Sequence, residues 1–191
     1  MILRLAVCSF ALMSFLSAPV LADEVSDALQ SALTAYNGGD MGKASEAITM
    51  AVQAIGAQQS ARLAALLPAA PDGWTRTDTA DFTKSFGILG GGSGAEATYA
   101  SADGATSFKM SFVADNPMVS SMGAMLGNAQ MMAMMGKVVK VGSQALLSQD
   151  NALSSLVNSR VLFQAQGGTE AQMLPLVQKI DFAKVGVFDT K

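Results

Sequence analysis

The stretch AEATYASADGATSFKMSFVA (residues 95–114) decides the fold. Two runs flank Ala102-Asp103-Gly104, where Gly104 can take a positive φ and close a tight turn. In the second run Phe108, Met110 and Phe112 alternate with Ser107, Lys109 and Ser111, the period-two pattern of a strand with one apolar side. The reading is an antiparallel hairpin over 95–101 and 105–114, in a sheet with one wet face. Further strands are expected over 137–141, 144–148, 153–157 and 160–166, with turns at Asp150-Asn151 and Asn158-Ser159. The fold class is α+β, with an antiparallel sheet of about five or six strands.

Helical signals surround these strands. Asn116 is placed as an N-cap and Pro117 in the first turn of a helix reaching Met135, closed by Gly136 and weakened at Gly123 and Gly127. Thr169-Glu170-Ala171-Gln172 reads as a capping box for a C-terminal helix, which Pro175 kinks or postpones. Ile180, Phe182 and Val185 are expected to return to the core.

Upstream, Val25, Ala28, Leu29, Ala32, Leu33 and Tyr36 recur at helical spacing, and Ala44, Ala47, Ile48, Ala51, Val52 and Ile55 repeat the pattern. Asn37-Gly38-Gly39-Asp40 separates the two helices, the glycines as a C-terminal cap and Asp40 as the next N-cap. Pro68 and Pro71 end the second helix, so residues 23–67 form an antiparallel helical hairpin and 68–191 the α+β part. Gly39-Asp40, Ala44, Ile48 and Ala51 resemble the middle of a tetratricopeptide repeat, but over one repeat only. A lone unit cannot bury its apolar face, so the expectation is a single hairpin packed on the rest of the chain. Trp74, the only tryptophan, is expected to anchor beneath the sheet.

Residues 1–22 read as a cleavable signal peptide. Arg4 precedes an uncharged run ending in Val20-Leu21-Ala22, with Asp23 and Glu24 directly behind. A run of about 17 residues lies at the lower limit for a membrane span, and Pro19 falls near its exit. Cys8 precedes the apolar core and leaves with it. The remaining 169 residues would carry no cysteine or histidine and a net charge of −4. That composition removes the commonest general base and metal ligand, and it excludes zinc sites built from Cys and His. With no basic cluster to follow phosphates, nucleic acid is not an expected partner.

Motifs for chemistry are missing. Gly90-Gly91-Gly92-Ser93-Gly94 lacks the Gly-Lys-Ser/Thr of a phosphate loop and leads into a strand instead of a helix. Ser93 does not have the glycine spacing of a nucleophile elbow. Asp72, Asp78, Asp81, Glu96, Asp103 and Asp115 could in principle supply an acid/base pair, but most sit where turns and caps use carboxylates. No catalytic residue, no cofactor and no enzymatic activity are expected.

The unabsorbed feature is a methionine-rich segment, with seven methionines between Met118 and Met135. On a continuous helix Met118, Met122, Met125 and Met132 share a face with Leu126 and Ala129, the side expected against the sheet. Met131, Met134 and Met135 fall opposite. Either the helix breaks near Gly127 and all are core filler, or the three form a protein or lipid contact surface, or they hold Cu(I) or Ag(I) through thioether sulfur.

The order of elements has a further resemblance. A helical hairpin, Gly73-Trp74-Thr75, Ala114-Asp115-Asn116-Pro117-Met118, Asn158-Ser159-Arg160 with Val161-Leu162-Phe163, and a closing Ile180-Asp181-Phe182 resemble a family of small exported proteins of Gram-negative bacteria. The resemblance implies a periplasmic location and supplies no site residue. The expected function is a non-catalytic periplasmic binding or scaffolding module, without a stable membrane span after processing. Its partner would be an unknown protein or envelope component, contacted through Met131, Met134, Met135 or Tyr36. Soft-metal handling by the methionine segment is the alternative.

Overall fold

A computed structural model describes residues 21–80, 82 and 91–190. Residues 1–20 of the leader, Asp81, residues 83–90 with the first glycine of the glycine-rich loop, and Lys191 lie outside the described residues. Two helices come first, α1 (Leu21–Asn37) and α2 (Met41–Leu66). Strands β1 (Trp74–Asp78), β2 (Ser93–Ser101) and β3 (Ser107–Ala114) follow. Three short helices, α3 (Pro117–Ser121), α4 (Gly123–Leu126) and α5 (Ala129–Met135), lead to four more strands. These are β4 (Lys137–Val141), β5 (Gln144–Gln149), β6 (Ala152–Val157) and β7 (Val161–Gln166). Helices α6 (Glu170–Val177) and α7 (Phe182–Val185) end the described chain.

The seven strands form one antiparallel sheet in the order β1-β2-β3-β7-β6-β5-β4. Two meanders thus meet at β3 and β7, with Phe112 opposite Phe163 at the centre. The turns follow side-chain chemistry. Asp150 and Asn151 take φ of 50° and 59° between β5 and β6, while Asn158 and Ser159 take 48° and 55° after β6. Short polar residues tolerate this left-handed backbone better than most. Gly104, at φ 69°, closes the β2–β3 turn.

One face carries the main core. Tyr99, Phe108, Met110, Phe112, Leu153, Val161 and Phe163 lie under Leu63 and Leu67 at the end of α2, and under Met173, Val177, Phe182 and Val185. Trp74 packs at its margin, its ring 5.5 Å from that of Phe108. The other face is not simply wet. Over β4–β7 the short helices bury Val119, Leu126 and Met132 against Leu147, Leu156 and Leu162. The β2–β3 part of that face stays polar, with Lys109 paired to Glu96 at 3.1 Å.

Two features correct the sequence expectation. The sheet gains β1, whose Thr75, Thr77 and Asp78 are exposed and give no alternating apolar signal. The methionine segment breaks at both of its weak points, beside Gly123 and Gly127, which sets aside the continuous helix. Met122 ends α3 with its N–H already turned to carbonyls of the preceding turn, and Asn128 caps a new helix by accepting from the N–H of Gln130 and Met131. Each restart turns the wheel, so Leu126 and Met132 are buried while Met118, Met125 and Ala129 are exposed.

The proline linker is held firmly. Arg76 donates to the carbonyls of Ala64, Leu67 and Pro68, satisfying the open end of α2 where the helix dipole favours a cation. Tyr99 hydroxyl donates to Pro68 O at 2.6 Å, and burial pushes its pKa up to about 12. The last turns of α2 are therefore part of the main core, and the rest of the hairpin extends from them.

Candidate functional site

The two N-terminal helices meet through alanine. Ala32 of α1 and Ala44, Ala47 and Ala51 of α2 are buried, with Ala28, Ala35 and Ala54 partly so. Small side chains let the backbones approach closely. The large apolar residues of the same sequence pattern are left outside this seam. Leu29, Leu33 and Tyr36 on α1, with Met41, Ile48, Val52 and Ile55 on α2, are between 41% and 63% exposed.

Their positions make one surface. At about 100° per residue, Leu29, Leu33 and Tyr36 fall within about 60° of one another, and so do Met41, Ile48, Val52 and Ile55. In each helix that stripe is turned about 80° from the alanine stripe, in the same rotational sense. Antiparallel partners are related by a two-fold axis normal to the plane they share, so both stripes emerge on the same side. Scaling each exposure by about 200 Å², the size of a free aromatic side chain and an upper value for Leu, Ile, Val and Met, this face offers at most roughly 700 Å². Monomers usually bare only a few hundred Å² in one apolar patch.

No charge interrupts it. Ser26, Gln30, Ser45 and Thr49 form its borders by the same wheel, whereas Asp27, Lys43 and Glu46 lie on other faces. Tyr36, expected at a contact surface, belongs to this patch. The helical periodicity of the sequence covers both halves of this pattern, the buried alanines and the exposed large residues, without distinguishing them.

The methionine candidates are placed unevenly. Met134 is 83% exposed and Met131 41%, while Met135 is half-buried against the second core. Spacings of three and four residues put the three on one side of α5.

Most of the candidate carboxylates have structural partners. Asp78 accepts from Arg76 at 2.7 Å, and Glu96 from Thr79 hydroxyl and Lys109. Asp103 accepts from Ser101 hydroxyl and the Ala105 N–H, which hold its carboxyl below the usual range. Asp115 accepts two hydrogen bonds from Arg160, both at 2.6 Å. Among the described residues no group of three or more His, Cys, Asp or Glu side chains could hold a metal ion. Ser93 is fully buried, and its hydroxyl has no hydrogen-bond partner among the described residues.

Arg160 also binds Asp189, at 2.9 and 2.5 Å, and lies 5.3 Å from the Phe188 ring. This clamp holds the C-terminal residues over the β6–β7 end. The Arg160 hydrogen bonds depress the Asp189 carboxyl, and Lys137 followed by Ser148 depress that of Glu170. A carboxyl depressed by folding adds stability above its unfolded pKa, which is lost as pH falls through its folded value. Thermal unfolding is expected to hold its midpoint down to about pH 5 and to fall below about pH 4. In Asp189→Asn the acid-induced fall should be smaller, measured by circular dichroism; an unchanged fall would remove Asp189 from the account.

The class is thus an α+β chain with a seven-stranded antiparallel sheet, helices on both faces, and a helix pair presenting a charge-free apolar surface. No family model, curated protein or solved structure matches this chain.

Proposed function

We propose that this protein is an exported, non-catalytic binding or scaffolding module that acts by contact through the apolar side of its helical hairpin. The observation that carries the reading is that face, Leu29, Leu33, Tyr36, Met41, Ile48, Val52 and Ile55 open on one side of α1 and α2. Keeping so much apolar surface in water is unfavourable by about 25 cal/mol per Å². A partner that covers the face recovers this term.

A periplasmic location fits the leader over 1–22, and among the described residues no helix is long and apolar enough to cross a membrane. Expressed with its leader and recovered from the envelope of a Gram-negative host, the protein is expected to begin at Asp23 by intact mass. A retained leader contradicts the export reading. Contact itself is tested by Leu33→Glu, which should abolish recovery of cross-linked partner while leaving the unfolding free energy within about 0.5 kcal/mol, as for other exposed substitutions. Undiminished cross-linking contradicts the reading.

The exposed residues Met131 and Met134, beside Met135, support a second reading, soft-metal handling through thioether sulfur. Under reducing conditions it requires stoichiometric Cu(I) binding that disappears when all three become Leu. No binding ends that reading.

A further inference from the structure

We infer that the partner of the hairpin face is a second copy of this chain, the two hairpins closing face to face into a four-helix bundle. This deepens the contact reading and rests on it.

Area gives the first argument. The face offers at most roughly 700 Å², close to the roughly 800 Å² per partner of a standard stable interface. Symmetry gives the second. A two-fold axis lying in the contact plane lays either α1 on α1 and α2 on α2, or each on the other, and both arrangements are antiparallel. The α2 stripe over 41–55 is about twice as long as the α1 stripe over 29–36, so the patch complements itself best when each helix lies on its own copy, as an isologous interface allows. Pairing helices through such stripes is the ordinary geometry of a four-helix bundle.

Charge gives the third argument and sets other occupants aside. A surface for an unlike protein normally uses charged side chains to choose its partner and orientation. A surface for anionic lipid needs a basic border. Neither lines the patch, since Ser26, Gln30, Ser45 and Thr49 border it, Asp27, Lys43 and Glu46 point elsewhere, and Arg62, two turns beyond Ile55 on the same side, donates to the Asp189 carbonyl. An uncharged border also lets two identical faces approach without repulsion.

Sedimentation equilibrium of the processed protein tests this between 1 and 100 µM, with Val52→Glu and Met134→Glu as variants and circular dichroism as the folding control. The expected result is a dimer for the natural chain and for Met134→Glu. Val52→Glu should be a folded monomer, its dimer affinity lower by at least about 100-fold because each interface would bury two unpaired carboxylates. The dimer should weaken less than about two-fold between 0.05 and 0.5 M NaCl, because no ion pair crosses it. A natural chain that stays monomeric at 100 µM overturns the inference, as does a Val52→Glu variant that remains dimeric. Binding of the monomer to phosphatidylcholine vesicles also overturns it, in favour of a lipid occupant. When the dimer fails, a photo-cross-linker at position 52 in living cells separates the two readings. Adducts to a different protein leave the contact reading standing, and no adduct removes both.

Discussion

Replacing Phe163 by alanine should destabilise the protein by about 3–5 kcal/mol, the range for truncating a buried aromatic. Phe163 is fully buried in β7 and faces Phe112 at 5.6 Å across the junction of the two meanders. Its ring also meets Phe182 edge-on at 5.4 Å, which fastens α7 to the sheet. One truncation therefore empties the space where β3, β7 and the C-terminal helices join. Strand pairing there leaves little freedom for the neighbours to collapse into the void, which places the expected loss in the upper part of the range. Domains of this size have about 5–15 kcal/mol in total, so the variant should unfold at much lower denaturant. A loss under about 1 kcal/mol by urea titration would contradict the assignment of Phe163 to the centre of the core.

Arg160→Met is the second large effect. The guanidinium joins Asp115, at the end of β3, to Asp189 near the C-terminus, using both edges of its planar fork. Removing it leaves two carboxylates without their shared cation. Full burial would make that cost about 3–5 kcal/mol, but the arginine side chain is 35% exposed and water relieves part of it. The expected loss is about 1–3 kcal/mol. It should be concentrated after residue 180, where hydrogen exchange would accelerate before the sheet opens. A cycle with Asp189→Asn isolates the pair, and additive losses would contradict direct coupling.

The legible features of this chain were those with local causes. Asn116 before Pro117, Thr169 with Gln172, and Asp40 after two glycines each make the cap their positions imply. Gly104, Asp150-Asn151 and Asn158-Ser159 turn where turn chemistry places them. Strand β1 was illegible because Trp74-Thr75-Arg76-Thr77-Asp78 is an edge strand specified by pairing with β2, not by apolar alternation. The continuous methionine wheel fails because it has one axis, while Met122 and Asn128 divide the segment into three beside the two glycines that mark its weak points.

The candidate site was half legible. Helical periodicity drew Leu29, Leu33, Ile48 and Val52 into the same stripe as the alanines. Only the close approach of α1 and α2, which admits alanine and excludes leucine, decides which half faces water. The Arg160 clamp has no sequence signature at all, since its partners lie 45 and 29 residues away.

The central claim is that one side of the hairpin does the work of this protein, and photo-cross-linking in living cells tests it most directly. A benzophenone side chain is placed in turn at Leu33, Ile48 and Val52, and at Thr34 and Met50 on the opposite side. The account predicts adducts from the first three positions and none from the last two. Adducts from Thr34 and Met50 alone, or equal adducts from all five, would contradict it.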